Sequence, residues 1–219
     1  MRRPIRRIMF WDYNGTLLHD CMYVYEGYVH VFRRFGIAPP PFEVWRDQVV
    51  PAYPTFYWEC GIPCSVSGEE INALLLEALA TIAPPLPFPD AVEVVQHCAF
   101  AGITCIVVSG FPKDHIIATL DRLQFRACFA DVVGTIAQKT LTLQRYLAAF
   151  QCAPHEALLV GDTVFDAEAA HAASIPSCIC PRSGYHPRDR IEGARARIPS
   201  MTIVEDLHAV LRHVFEEDS

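Results

Sequence analysis

The sequence predicts an α/β protein, a doubly wound parallel sheet with a helical segment inserted after its first strand. Three observations point there. Ile8-Met9-Phe10-Trp11 is an apolar run without polar alternation, and it stops at Asp12. Such a run reads as a strand buried on both faces, as in the middle of a parallel sheet. From Asp90 onward, apolar runs alternate with helix-period segments, the pattern of successive βα units. Between these parts, residues 18–89 carry helical patterns and no convincing strand, and they end in Pro84-Pro85-Leu86-Pro87-Phe88-Pro89, a stiff linker.

The composition allows this and narrows the rest. With 219 residues, 52% of them hydrophobic, the chain has ample material for one core and a small insert. A net charge of -7 argues against a nucleic-acid partner. Arg2, Arg3, Arg6 and Arg7 could open a signal peptide, but the apolar run behind them spans only Ile8–Trp11, short of the roughly 7–15 residues such a leader needs. No stretch approaches the ~20 apolar residues of a membrane span. The expectation is a soluble, cytoplasmic monomer or homodimer with no membrane or nucleic-acid partner. Several of the nine cysteines sit in apolar segments, as Cys105 does in Ile103–Val107, which suits a reducing compartment. The close pairs Cys60/Cys64 and Cys178/Cys180 lack partners at zinc-site spacing.

Taken in order, the first predicted element is the strand at 8–11. Cys21 to Phe35 places Val24, Tyr28, Val31, Phe32 and Phe35 on one helical face, and Pro39-Pro40-Pro41 ends it. The segment Phe42 to Tyr57 is aromatic-rich, with Phe42, Trp45, Tyr53, Phe56, Tyr57 and the adjoining Trp58, and is broken or kinked at Pro51 and Pro54. Ser67 is a good N-cap for a third helix, with Glu69 and Glu70 in its first turn and an apolar stripe through Leu79. Helices are then expected over 90–101, 112–123, 139–150, 163–173 and 205–215. Strands are expected over 103–108, 129–133, 157–160 and 175–179. The predicted domains are a core of residues 1–17 and 90–219 and a helical cap of residues 18–89.

Three strands end in polar groups: Asp12, Ser109 and Asp162. In an open α/β sheet the ligand crevice lies beyond the carboxyl ends of the strands, so the topology brings these groups to one edge. Asp166 follows one helical turn after Asp162. Lys139 opens a helix on the same edge and is one of only two lysines in the chain. Each residue alone has a plainer reading: Asn14-Gly15 as a hairpin turn, Ser109 and Asp162 as helix caps. Together they form a cluster of carboxylates, which repel one another unless a cation sits among them. Oxygen-only ligands suit Mg²⁺. A metal, a lysine, a hydroxyl and one carboxylate nucleophile add up to phosphoryl transfer through an aspartyl-phosphate.

The motifs Asp12-Tyr13-Asn14-Gly15-Thr16-Leu17, Val107-Val108-Ser109-Gly110, Lys139 and Gly161-Asp162-Thr163-Val164-Phe165-Asp166, in that order, resemble those of the haloacid dehalogenase superfamily. Pro89-Asp90-Ala91 and Ala169-Ala170 fit its phosphoglycolate phosphatase-like branch. The resemblance implies a Rossmann-like core with an inserted C1-type helical cap, and a Mg²⁺-dependent hydrolase acting on a small phosphorylated substrate. It implies Asp12 as nucleophile and metal ligand, and the backbone carbonyl of Asn14 as a further ligand. It implies Asp162 as a ligand and Asp166 as support for the metal shell. Ser109 and Gly110 would bind the phosphoryl group, and Lys139 would neutralise it.

One departure stands out. Phosphatases of this family carry a second Asp, the general acid and base, where this chain has Asn14. An amide neither protonates an alkoxide nor deprotonates water, and such help is worth roughly 10²–10⁴-fold. The sequence therefore predicts weak or narrow turnover, better where the leaving group needs no proton. The alternative is an impaired relative that binds a phosphorylated ligand or partner without turning it over. His19 or His30 would have to stand in for the acid, yet a lone histidine is more often solvated. The superfamily's dehalogenases also lack that Asp and need no metal, but the intact 161–166 motif argues for a metal. Its phosphonoacetaldehyde hydrolases need a cap lysine, and residues 18–89 contain none. The cap's only arginines are Arg33, Arg34 and Arg46, so a highly phosphorylated substrate is not expected. Its aromatics are expected to pack the cap rather than contact a ligand. Arg182, Arg188, Arg190, Arg195 and Arg197 are expected to form a solvated face.

Overall fold

The computed structural model describes residues 3–48, 54–136 and 138–215. The strands are β1 (Ile8–Trp11), β2 (Thr104–Val108), β3 (Asp131–Val133), β4 (Ala157–Gly161), β5 (Ser177–Ile179) and β6 (Met201–Ile203). They form one sheet in the order β3-β2-β1-β4-β5-β6, with every pairing parallel. β1 is central, flanked by β2 and β4, with Trp11 opposite both Val107 and Val160.

The sheet is covered on both faces, which is why β1 shows no polar alternation. Ile8 and Phe10 share one buried cluster with Ile106, Val108 and Leu159. The cluster includes Leu143 and Leu147 of α7 (Lys139–Ala149), and Ala169 and Ala170 of α8 (Val164–Ala172). Met9 and Trp11 point the other way by the two-residue period of a strand and are also fully buried. Here α5 (Ala91–Phe100) packs on β2, with its Cys98 close to Cys105. Burial pushes the Cys105 thiol up to about 12, so it behaves as a small apolar side chain.

Some expectations needed correction. The strand expected at 129–133 begins only at Asp131, because Arg126–Cys128 forms a 3₁₀ turn and Phe129 is buried against Phe125. The helix α9 (Arg188–Ala194) and strand β6 were not anticipated. Both are short, and α9 contains Gly193, so neither offers a full period to read. The final helix expected over 205–215 is a short 3₁₀ segment, His208–His213. Its start is held late, because the amide of Leu207 donates to Asp90 and that of Ala209 to Asp206, both at 2.8 Å.

By its contacts the chain divides into two compact units, residues 1–19 with 87–219, and residues 20–86. The second unit holds α1 (Cys21–Arg34), α2 (Phe42–Gln48), α3 (Pro54–Glu59) and α4 (Gly68–Leu79). α1 and α4 meet at Gly27, where a Cβ would lie 2.6–2.7 Å from Leu79 and Leu75. The aromatics pack this unit: Tyr28 stacks on Tyr57 at 4.5 Å, and Trp45 meets Tyr28 edge-on at 5.4 Å. Pro54 opens α3, where its missing N–H is no loss. Pro51 and Tyr53 lie outside the described residues. Ser67 caps α4 as expected, accepting from the Glu70 amide at 3.1 Å.

Where the core's two segments meet, Leu17 and Phe88 run side by side, the Phe88 amide donating to the Leu17 carbonyl at 3.0 Å. Arg182 ties both, which corrects its expected place on a solvated face. Its guanidinium lies 3.9 Å over the Phe88 ring, donates to Asp90 at 2.7 Å and to the Thr16 carbonyl at 3.5 Å. Burial pushes the Asp90 carboxyl up, but the hydrogen bonds from Arg182 and the Leu207 amide outweigh it, so its pKa falls below the usual value. A depressed pKa contributes stability above the unfolded carboxylate's value, and that stability is lost as pH falls through the folded value. Arg182→Met is expected to cost somewhat less than the ~3–5 kcal/mol of a broken buried pair, since Arg182 keeps some solvent access. Urea unfolding at neutral pH checks this, and the deficit should shrink in acid as Asp90 protonates.

Candidate active site

Asp12, Ser109 and Asp162 each stand one residue beyond a strand, on the adjacent β1, β2 and β4. The ladder continues into the first of these turns, where the Asp12 amide donates to the Val160 carbonyl at 2.9 Å. Lys139 begins α7, and its Nζ donates to both Asp12 Oδ1 and Asp166 Oδ1 at 2.6 Å. Asp12, Asp162 and Asp166 each offer an oxygen to one spot, all within 4.8 Å of one another. The structure thus brings together the carboxylates and the lysine read from the sequence.

Asp162 lies before α8 rather than on its face. Thr163 is the N-cap, and Asp166 is the third residue of the helix in a capping box. Asp166 Oδ2 accepts from the Thr163 amide at 3.1 Å and its hydroxyl at 2.6 Å, leaving Oδ1 for Lys139. Asp166 is thus both part of the α8 capping box and a member of the carboxylate cluster. Ser109 Oγ accepts from the Phe111 amide at 3.1 Å and donates to Asn14 Oδ1 at 3.5 Å. Gly110 follows it at the mouth of the turn, half-buried. His19 is exposed and stacks on Phe88 at 5.1 Å, and His30 is exposed on α1.

Sequence reasoning missed the residues that hold Asp162. Thr16 donates to its Oδ1 at 3.2 Å, and Ser183 donates to its Oδ2. Two residues on, Tyr185 lies against Gly15, and His186 accepts the Val164 amide at the start of α8 through Nδ1 at 3.1 Å. This turn follows β5 on the same sheet edge, so the rule that sites lie past strand ends could have flagged it. Gly15 has φ +74°, and a Cβ there would sit 2.3 Å from Asp162 Oδ2 and 2.6 Å from Ser183 Cβ. Gly15→Ala is expected to cost ~1–3 kcal/mol from backbone conformation alone and to displace Asp162. A thermal melt and a Mn²⁺ titration read the two effects.

The charges in the site do not balance. Lys139 offsets one of three clustered carboxylates. Burial pushes Asp12 up to about 7, against the pull of Lys139 and helped by the charge of Asp166. Burial also raises Asp166, but Lys139 and Thr163 outweigh it and hold it below its usual value. The Lys139 ammonium is desolvated, yet both carboxylates keep it firmly protonated. An all-oxygen cradle that is doubly negative once Asp12 is ionised suits a hard divalent cation such as Mg²⁺. The other such group among the described residues, Asp90, Asp206 and His208, differs, because Arg182 already neutralises Asp90.

The family model for haloacid dehalogenase-like hydrolases matches residues 9–180, most of the chain and all four clustered charges. The chain belongs to this family. Solved structures agree in fold. A haloacid dehalogenase-like hydrolase from Bacteroides fragilis is 18% identical, with a TM-score of 0.78 over 94% of this chain and 99% of that one. CbbY from Rhodobacter sphaeroides, solved with phosphate, is 15% identical, with a TM-score of 0.76 over 94% and 96%. A predicted phosphoglycolate phosphatase from Haemophilus somnus is 14% identical, with a TM-score of 0.74 over 95% and 97%. No curated protein matches the sequence. Within the haloacid dehalogenase-like fold, the site lies where its sheet edge gathers the strand-end residues. No helix among the described residues is long and apolar enough to cross a membrane.

Proposed function

We propose that this chain is a Mg²⁺-dependent phosphatase of narrow scope, acting on small phosphate monoesters through an aspartyl-phosphate on Asp12. The observation that carries the reading is the cradle: Asp12 gripped by Lys139 at 2.6 Å and gathered with Asp162 and Asp166 within 4.8 Å. Family membership supports it, as do the phosphatase-like neighbours.

In this reading Asp12, Asp162, Asp166 and the Asn14 carbonyl would hold Mg²⁺, which would supply positive charge to the phosphoryl group and keep Asp12 ionised. An Asp12 carboxylate oxygen attacks phosphorus, and the bond from phosphorus to the ester oxygen breaks with its electron pair on the leaving group. Lys139 and the hydroxyl of Ser109 stabilise the charge on the transferred group, with Gly110 contributing backbone. Water then attacks the phosphorus of the acyl phosphate, freeing Asp12 and inorganic phosphate. Asn14 has no proton to give in the first step and accepts none in the second. Substrates with acidic leaving groups, aryl or acyl phosphates, therefore fit best.

The test is initial rates across phosphate esters of graded leaving-group acidity, with and without Mg²⁺. Rates should climb steeply with acidity and vanish with a chelator. Asn14 also favours one second reading, a family member that binds a phosphorylated ligand or partner without turning it over. Saturable binding of an intact phosphate ester, with neither a burst nor steady release of leaving group, would favour that reading.

A further inference from the structure

We propose that Ser183 is a positioning residue for the metal site: its hydroxyl fixes the rotamer of Asp162 and so sets metal affinity. The proposal rests on the metal-dependent reading above, and Ser183 lies beyond the residues the family model matches. Asp162 is 99% buried, by its 1% exposure, and its carboxylate is forked between two hydroxyls. Thr16 takes Oδ1 from the turn after β1, and Ser183 takes Oδ2 from the turn after β5. A carboxylate offers about four lone-pair sites, so two hydroxyl bonds alone do not saturate it, and Asp162 still offers an oxygen to the carboxylate cluster.

Ser183 is itself well placed to hold that direction. Its Oγ accepts from the Tyr185 amide at 3.2 Å, which leaves its one proton for Asp162. It is buried, and its Cβ lies against Gly15, so the side chain has little room to turn. The turn that carries it is anchored on either side. Arg182 grips Asp90 at 2.7 Å, and His186 accepts the Val164 amide at 3.1 Å. A hydroxyl that accepts from the Tyr185 amide, on a turn anchored on either side, is a fixed donor, and residues that orient metal ligands typically govern affinity by about 10–100-fold.

The experiment compares the parent, Ser183→Ala and Ser183→Thr in the full chain, using Mn²⁺ as the probe. Electron paramagnetic resonance reads free Mn²⁺, and metal-free crystal structures read the Asp162 rotamer. Ser183→Ala is expected to bind Mn²⁺ about 10–100-fold more weakly and to show Asp162 in a second rotamer. Ser183→Thr, which keeps the hydroxyl, should stay near the parent on both measures, and it carries the test if Ser183→Ala fails to fold. An unmoved Asp162 in Ser183→Ala with parent-like affinity overturns the proposal, and so does a Ser183→Thr chain that keeps the hydroxyl bond and the Asp162 rotamer yet binds Mn²⁺ about 10-fold or more weakly than the parent. A parent that binds no Mn²⁺ sinks the metal-dependent reading instead, and the rotamers still decide the role of Ser183.

Discussion

Asn14→Asp is expected to raise Mg²⁺-dependent turnover of an alkyl phosphate by about 10²–10⁴-fold, the ordinary worth of a positioned general acid and base. The change is nearly isosteric, and the contact from Ser109 Oγ to Asn14 Oδ1 needs only an oxygen at that place. The turn should therefore survive, held as it is by the Leu17 and Leu18 amides on the Tyr13 carbonyl at 3.0 and 3.2 Å. What the change adds is an exchangeable proton beside the scissile oxygen. An alkoxide cannot leave without one, so alkyl esters should gain most. An aryl ester, whose phenolate leaves unaided, should gain far less. Steady-state kinetics on one alkyl and one aryl phosphate would show it. Equal gains on both esters would mean that leaving-group protonation does not limit the parent.

Lys139→Met carries the largest combined effect on activity and fold. Lys139 is half-buried, its side chain 17% exposed, and bridges Asp12 and Asp166 at 2.6 Å each. Breaking a fully buried ion pair costs ~3–5 kcal/mol; the partial exposure of Lys139 lowers that figure, and the loss of one ammonium by two carboxylates works against the discount. In the metal-free chain the carboxylates should then take up protons near neutrality, since burial already pushes Asp12 to about 7. Urea unfolding should show the deficit, and Mg²⁺ should restore part of it by putting positive charge back among the carboxylates. Turnover should stay at background even with saturating Mg²⁺, because the phosphoryl oxygens have lost their cationic partner. A variant that keeps parental stability and rate would mean that Lys139 is only a surface-like helix start.

Much of this was legible in the sequence because it depends on strand ends. A buried parallel strand announces itself as an unbroken apolar run, so Asp12, Ser109 and Asp162 could be placed on one edge before any coordinates. Lys139 was readable for a different reason, its rarity in an arginine-rich chain. The strand-end rule could have flagged the turn that carries Ser183 and His186, but the bonds that Thr16, Ser183 and His186 make were not readable, because each depends on where a turn folds back and none has a spacing signature. Arg182 was misread as surface for the same reason. Its neighbours Arg188, Arg195 and Arg197 are indeed exposed, and nothing local separates them from the one that reaches Asp90. The C-terminal segment misled because its apolar spacing fits a helix, while capture of the Leu207 amide by Asp90 is a contact across 117 positions.

The central claim, that Asp12 is a nucleophile working with a divalent metal, is tested most directly by hydrolysis of p-nitrophenyl phosphate. The parent and Asp12→Asn would be assayed with Mg²⁺ and with a chelator. The account predicts steady turnover by the parent with Mg²⁺, none with the chelator, and none by Asp12→Asn in either condition. A parent that releases no nitrophenol, without even a single-turnover burst, would contradict it, as would an Asp12→Asn chain that hydrolyses the ester as fast as the parent.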